Sequence, residues 1–368
     1  MKKCIDWFYY LPVKRNKIVM LHDFGLGYGD SPKIIAEALL NKNNKYRIVW
    51  LVNNMSLNIP KPIKKVYLAR IRSVYELATA KVIITTMKGR VNLKKKTSQF
   101  FVYVPHGQSG AKYVEKAAKG LGLKYIEGSK WHSSVSDLFL SSSKMQTVEM
   151  RDCFWYDGEI MESGLPRNDI FFHYQEKDVL RIRKGLGIGK DDFIVLYAPT
   201  FRNNGSFFPY DIDTDRLSDA IIKKTGKNCR ILVRLHPNYI WYGKPPFDYS
   251  DKVIDVTDYP DIQELLVASD LLISDYSSTM FDFMLMKRPV FLYTKDIAEY
   301  QQMRGLKDWF FKVPFPFCHN NDELCQEIIR FDATSYQQRC KEFGTLYGSI
   351  EDGFATKRIV NRLKEIMQ

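Results

Sequence analysis

Short apolar runs alternate with longer stretches whose apolar positions recur at helical spacing, and this pattern holds along most of the chain. In the first half Lys17–Leu21, Arg47–Val52, Lys81–Thr85 and Phe101–Pro105 read as strands, with a helix over roughly Ser31–Leu40 between the first two. A second set follows at Phe193–Tyr197, Arg230–Leu235, Val253–Asp255, Leu271–Ile273 and Val290–Tyr293. Between the sets the character changes. The turn Leu165-Pro166-Arg167-Asn168-Asp169 leads to a charged, helix-like Lys177–Lys184, then to Gly185, Gly187 and Gly189. Thr356–Met367 reads as an amphipathic helix through Ile359, Val360, Leu363 and Ile366. Strand–helix alternation of this kind predicts α/β folding, with parallel sheets flanked by helices. The expected architecture is two doubly wound, Rossmann-type domains facing a cleft. The expected boundaries are 1–175 and 176–345, with a C-terminal helical segment at 346–368 whose candidate packing partner is the first domain. No repeat of solenoid length is visible, and a fold of this type does not decide function.

Composition narrows the class. At 368 residues the chain exceeds one ordinary core, so two domains are the default. A hydrophobic fraction of 45% and an aromatic fraction of 14% exclude a disordered chain. Lys plus Arg number 55 against 42 Asp plus Glu, a formal charge of +13, which suits a polyanionic substrate, a nucleic acid or anionic lipid. The early basic residues are Lys61, Lys64, Lys65, Arg70, Arg72, Lys81, Lys88, Arg90 and Lys94-Lys95-Lys96. Lys112, Lys116, Lys119, Lys124 and Lys130 continue them, interleaved with Tyr113, Leu121 and Tyr125. These form either a solvated face or a surface for a polyanion or membrane.

The cysteines, Cys4, Cys153, Cys229, Cys318, Cys325 and Cys340, include no C-x-x-C pair, which argues against a zinc site or a disulfide framework. No apolar run reaches the roughly 18 residues needed to cross a bilayer. The opening MKKCIDWFYYLPVKRNK is interrupted by Asp6 and lacks a small-residue cleavage site. A mature N-terminus, a cytoplasmic location and peripheral membrane contact are expected.

Candidate chemistry collects where strands end. After the first strand, His22–Pro32 is glycine-rich, but its G-x-G-x-G spacing is not the dinucleotide fingerprint. Val104-Pro105-His106-Gly107 offers an imidazole with little steric cover, able to accept a proton near neutral pH, or else a packing histidine. Leu196–Tyr197 empties into Ala198-Pro199-Thr200-Phe201-Arg202, where Thr200 and Arg202 are donors suited to phosphate. In Leu232-Val233-Arg234-Leu235-His236-Pro237, strand alternation sends Arg234 and His236 to one side as a cationic pair for a pyrophosphate. Pairing of Arg234 with Asp255 or Asp258 is the plainer alternative.

The richest segment is 270–293. There Leu271–Ile273 runs into Ser274-Asp275-Tyr276-Ser277-Ser278-Thr279, then an amphipathic helix with Met280, Phe281, Phe283 and Met284. Unpaired N–H groups at a helix start and clustered hydroxyls favour a phosphate. An ordinary Ser/Thr cap without a ligand is the alternative. Asp275 is placed to orient the loop or bind a ribose hydroxyl, and Asp282 is a further candidate for similar work. No Walker A sequence, metal-binding carboxylate cluster or nucleophile elbow is visible.

Together these segments resemble the CDP-glycerol glycerophosphotransferase family, the teichoic-acid primases and polymerases and their capsule relatives. The resemblance rests on GLPRND at 164–169, LYAPTFRNN at 196–204, RLHP at 234–237 and SDYSS at 274–278. KRPVFLYTKDIAEY at 287–300, RGL at 304–306 and DGFATKRI at 352–359 extend it. GDSPKIIAEAL at 29–39 and KYRIVWLVNN at 45–54 look like the family's amino-terminal half.

The resemblance implies a GT-B-like fold and transfer of an alditol phosphate from a CDP-activated donor to a hydroxyl, releasing CMP. No cofactor or metal is implied beyond the CDP-glycerol or other CDP-alditol donor. His106 would be the general base, His236 and Arg234 would hold the phosphates, and Ser277, Ser278 and Thr279 would cradle the pyrophosphate. The acceptor would be a teichoic-acid, lipid-linked or capsular polyol phosphate or glycan. The location would be the inner face of the cell membrane, with no nucleic-acid partner. Where the family commonly has a tryptophan before the histidine and a G-T-P-L-K continuation, this chain has Pro105-His106-Gly107-Gln108-Ser109-Gly110, which implies an altered acceptor side. The rival readings are a GT-B glycosyltransferase using a nucleotide sugar and a non-catalytic polyanion binder.

Overall fold

The computed structural model describes residues 7–42, 45–89, 94–202, 210–236 and 247–368. Cys4, Arg90, Asn203, Asn204 and Pro237 lie outside the described residues, as do residues 1–6 of the opening segment. The chain forms two compact units. The first holds Met1–Gln108, Val114–Asp169 and Gly348–Gln368; the second holds Ser109–Tyr113 and Ile170–Tyr347. The break between the sets of strands thus falls at 169/170, where 175 was expected, and the short piece Ser109–Tyr113 belongs with the later residues.

The first unit carries a parallel sheet of β1 (Lys14–Leu21), β2 (Arg47–Val52), β3 (Lys64–Tyr67), β4 (Ala80–Thr85), β5 (Phe100–Tyr103), β6 (Leu138–Ser141) and β7 (Glu159–Glu162). Their order is β3-β2-β1-β4-β5-β6-β7. Because helices cover both faces, the central strands are apolar throughout rather than alternating. In β1, Ile18 and Met20 enter one core and Val19 and Leu21 the other. The C-terminal helix Ala355–Ile366 belongs to this unit: Ile359, Val360 and Leu363 pack in the same core as Ile18 and Met20. Its start is fixed by Asp169, which accepts from the backbone N–H of Ala355 at 3.0 Å and of Thr356 at 2.8 Å.

The second unit carries β8 (Phe193–Tyr197), β9 (Cys229–Val233), β10 (Val253–Asp255), β11 (Leu271–Ser274), β12 (Val290–Tyr293) and β13 (Phe317–Cys318), all parallel, in the order β10-β9-β8-β11-β12-β13. Val195, Tyr197, Ile231, Val233, Ile273 and Phe291 build its core. Strand order reverses between β1 and β4 in the first unit and between β8 and β11 in the second. In such sheets ligands bind beyond the strand ends at that reversal.

Candidate functional site

In the first unit the reversal point gathers ionisable side chains. β1 ends at Leu21 and delivers His22, and β4 ends at Thr85 and delivers Thr86. His22 Nδ1 lies 3.1 Å from Thr86 Oγ1. The helix Asp30–Lys42 opens on Asp30, whose φ of +58° is a left-handed conformation that Asp tolerates better than most residues. Its carboxylate is buried and fully engaged. Oδ2 is 2.6 Å from His106 Nδ1 and accepts from Arg167 Nη1 at 2.8 Å, while Oδ1 accepts from the Ser31 N–H at 2.5 Å. The same Arg167 nitrogen donates to the His106 carbonyl at 2.6 Å, so one guanidinium fixes both the carboxylate and the loop that carries the imidazole. The His106 side chain is 67% exposed above a carboxylate that is 3% exposed. Burial alone pushes the Asp30 carboxyl upward, but Arg167 and His106 outweigh it and hold it well below the usual carboxylate range. Burial likewise lowers His22, keeping that ring neutral.

An ionised carboxylate can only accept, so His106 donates through Nδ1 and presents the lone pair of Nε2 outward. This is the geometry of a general base held by a carboxylate. Ligand atoms of His22, Asp30 and His106 lie within 4.8 Å of one another and could hold a metal ion. The Arg167 cation on Asp30 Oδ2 opposes that use.

The second unit gathers the other expected residues at its own reversal point. Asp275, following β11, accepts from the Thr200 N–H at 2.8 Å and pairs with Arg202 at 2.9 Å. Arg202 is 2% exposed and also engages Asp296, with Nε donating at 2.7 Å. Burial works against its charge, but Asp275 and Asp296 prevail and keep it protonated. Arg202 is therefore the centre of a buried ion network, not the freely presented phosphate donor that the loop suggested. Its guanidinium also lies over the rings of Tyr276 and Tyr300, which stack at 3.8 Å.

A cavity of about 190 Å³ opens here, lined by Thr200, Arg202 and His236 together with Lys112, Tyr300 and Arg304. Thr200 Oγ1 is buried with no hydrogen-bond partner among the described residues.

Arg234 and His236 follow β9, which ends at Val233, and both are less buried than Leu235 between them. The Arg234 guanidinium donates to the carbonyls of Tyr259 at 2.6 Å and Val256 at 3.2 Å, where a carboxylate partner had been the alternative. His236 is exposed, its ring beside Phe201. Two of the turn's hydroxyls pair with each other: Ser277 Oγ lies 2.9 Å from Thr279 Oγ1 and accepts from the Thr279 N–H. They are half-buried and do not line the cavity. The helix Thr279–Met284 is buried along its apolar positions, and so is Asp282, which accepts from Gln263 within the core; it is not the amphipathic helix expected.

Sequence reasoning missed Asp30, Arg167, His22, Lys112 and Arg304 as site residues. The signals were present: an acid opening a helix after a glycine-rich strand end, and an arginine inside GLPRND.

The family described as CDP-Glycerol:Poly(glycerophosphate) glycerophosphotransferase matches residues 4–365. A teichoic acid poly(glycerol phosphate) polymerase of Staphylococcus epidermidis is 30% identical over 94% of this chain and 50% of its own length. One of the same description from Bacillus spizizenii is 26% identical over 95% of this chain and 92% of its own. The chain thus spans half the length of one curated relative and nearly all of the other. Among solved structures, the wall teichoic acid polymerase TagF superposes with a TM-score of 0.88 at 27% identity, covering 100% of this chain and 93% of that one. A variant of that polymerase soaked with CDPG superposes at 0.86, with 27% identity and coverage of 96% and 90%. The fold is GT-B-like.

Proposed function

The chain belongs to the CDP-glycerol:poly(glycerophosphate) glycerophosphotransferase family, and from that premise we propose that it moves glycerol phosphate, or a related alditol phosphate, from CDP-glycerol to a hydroxyl of a polyol-phosphate acceptor. The observation that carries the reading is His106, exposed at Nε2 and held at Nδ1 by buried Asp30. In the reaction, Nε2 takes the proton of the acceptor hydroxyl as its oxygen attacks the β-phosphorus. The bond from that phosphorus to the bridging oxygen breaks, and CMP leaves with the electron pair. Asp30 stabilises the imidazolium that forms. The donor is a substrate, and the chemistry needs no other cofactor. His236, Arg234 and the Ser277–Thr279 turn are assigned to the donor phosphates on the family resemblance.

The acceptor belongs to the wall-polymer or capsule class, which supports a location at the inner membrane face. Among the described residues no helix is long and apolar enough to cross a membrane. Leu123 is 79% exposed and Tyr125 46% exposed, and they stand among exposed Lys116, Lys119, Lys124 and Lys130. This is the combination an anionic lipid surface attracts.

The test is a donor panel. Purified protein with a glycerol-phosphate oligomer as acceptor is given CDP-glycerol, CDP-ribitol and a set of UDP- and CDP-sugars, and nucleotide release is followed. CMP release from a CDP-alditol is the expected result. UDP release, or transfer of a sugar, replaces the reading with glycosyl transfer.

A further inference from the structure

We infer that His22 recognises the acceptor: its Nε2 binds the hydroxyl next to the one that His106 deprotonates, so the acceptor taken is an alditol end with hydroxyls on adjacent carbons. This deepens the transfer reading above and rests on it. The two imidazoles stand side by side, with ring centroids 6.1 Å apart and planes inclined by 34°. Each is held at Nδ1, His106 by Asp30 and His22 by Thr86 Oγ1 at 3.1 Å. His22 is only 8% exposed, yet its Nε2 has no hydrogen-bond partner among the described residues. Unlike both nitrogens of His132, it is not fully enclosed. The Asp30 carboxylate comes within 4.8 Å of the ring but is already engaged by His106, Arg167 and the Ser31 N–H.

The ligand's chemistry follows from charge. Burial lowers the His22 pKa most strongly; Asp30 and Asp23 pull it up, His106 and Arg167 push it down, and the net direction is down. A ring kept neutral brings no charge to an anionic oxygen. Its Nε2 is a donor or an acceptor according to the tautomer set at Thr86. A hydroxyl, which both donates and accepts, satisfies either form, whereas a phosphate oxygen or an ammonium suits only one. Transfer places one acceptor hydroxyl at His106 Nε2. The adjoining ring then meets the hydroxyl on the next carbon.

The glycine-rich segment after β1 keeps that nitrogen open. Gly25 sits at φ +86°, and a Cβ there would stand 2.8 Å from the backbone nitrogen of Asn53, so the turn closes against the end of β2 only with glycine. The Gly25 N–H donates to the His22 carbonyl at 2.7 Å, and the Asn53 N–H to the Gly25 carbonyl at 2.8 Å. Trp50 Nε1 donates to the Gly27 carbonyl at 3.0 Å, which fixes Gly27 beside the ring. A Cβ at Gly27 would stand 3.4 Å from His22 Cδ2 and 3.6 Å from Nε2, so a side chain there would crowd the nitrogen from that side. The G-x-G pair, no part of a dinucleotide fingerprint, thereby gains a use in the site.

The test compares two acceptors in acceptor-dependent CMP release from CDP-glycerol. One is a glycerol-phosphate oligomer. The other is the same oligomer ended by a propane-1,3-diol phosphate unit, which keeps the terminal hydroxyl and lacks its neighbour. Leaving a buried polar nitrogen unpaired costs a factor of roughly 10–100, so the wild-type chain is expected to favour the glycerol end by about that ratio in kcat/KM. His22→Phe keeps a ring without nitrogens and should bring the ratio close to one. His22→Asn keeps a polar group for Thr86 without the reach of Nε2 and should do the same; it decides the matter if His22→Phe does not fold. A ratio near one in the wild-type chain overturns the inference. So does a ratio that the variants leave unchanged while both rates fall, the mark of a residue that only supports the loop. The transfer reading survives either result. If the wild-type chain releases no CMP with either acceptor, the transfer reading falls and this inference with it.

Discussion

Asp30 is the residue on which the first unit's chemistry turns. Three donors converge on one buried carboxylate, and it in turn fixes the tautomer of His106. Asp30→Asn keeps the shape but can present an N–H to the imidazole, inviting the wrong tautomer. CMP release should fall by roughly 10² or more, within the range that general-base catalysis contributes. Asp30→Ala removes the partner of buried Arg167 and should cost about 3–5 kcal/mol in urea unfolding. The pH dependence follows from the sign of the shift. A carboxyl held below its unfolded value binds fewer protons when folded, so its stabilisation is present above about pH 4 and is lost as the solution is acidified further.

His132 acts in a higher window. Burial pushes it down to about 3, and both ring nitrogens lack hydrogen-bond partners among the described residues. The unfolded chain takes up this proton below about pH 6.5, so between there and pH 3 the group removes stability at up to about 1.4 kcal/mol per pH unit. His132→Phe, which keeps a ring against Phe101 and Tyr103, should flatten that slope in urea melts recorded from pH 7 to pH 4. An unchanged slope would mean that His132 is not a buried neutral ring. At this scale the sequence was legible where chemistry is announced locally, as in a His-Gly at a strand end. It was silent where a partner sits far along the chain. Nothing near His106 names Asp30, and nothing near Arg202 says that Asp275 and Asp296 will consume its charge.

At the scale of elements, legibility followed burial. Strands covered on both faces, β2, β8 and β12, stand where continuous apolar runs placed them. Those left unread were β3 and β7 at the sheet edges, whose Lys64, Lys65, Glu159 and Glu162 dilute the apolar signal, the two-residue β13, and β6, a four-residue run followed by serines. The C-terminal helix was visible from its period of apolar positions, and its core contacts give a quantitative expectation. Leu363 is fully buried among β1 and β2 side chains, so Leu363→Ala should cost about 2–5 kcal/mol in equilibrium unfolding. Glu365→Ala, two residues on and on the exposed face, should cost little. Equal effects from the two would place the helix outside the core.

For the whole molecule, the charge of +13 resolves into separate tasks. Some lysines are structural, as Lys17 is in its buried pair with Glu76 at 2.5 Å. Lys112 and Arg304 face a cavity, and Lys116, Lys119, Lys124 and Lys130 stand on the surface around Leu123. Composition could not separate these roles, because it counts charges without their partners. The surface group should retain the protein on phosphatidylglycerol vesicles in flotation at low salt, with release as salt rises. Replacing the four lysines by Gln should abolish retention. Retention on neutral vesicles, indifferent to salt, would contradict an electrostatic contact.

The central claim is that His106 takes the acceptor proton during transfer from CDP-glycerol. It is tested most directly by comparing the wild-type chain and His106→Ala for CDP-glycerol affinity and for acceptor-dependent CMP release. The account predicts unchanged donor affinity with release slowed about 10²- to 10⁴-fold. A variant that still releases CMP at the wild-type rate would contradict it.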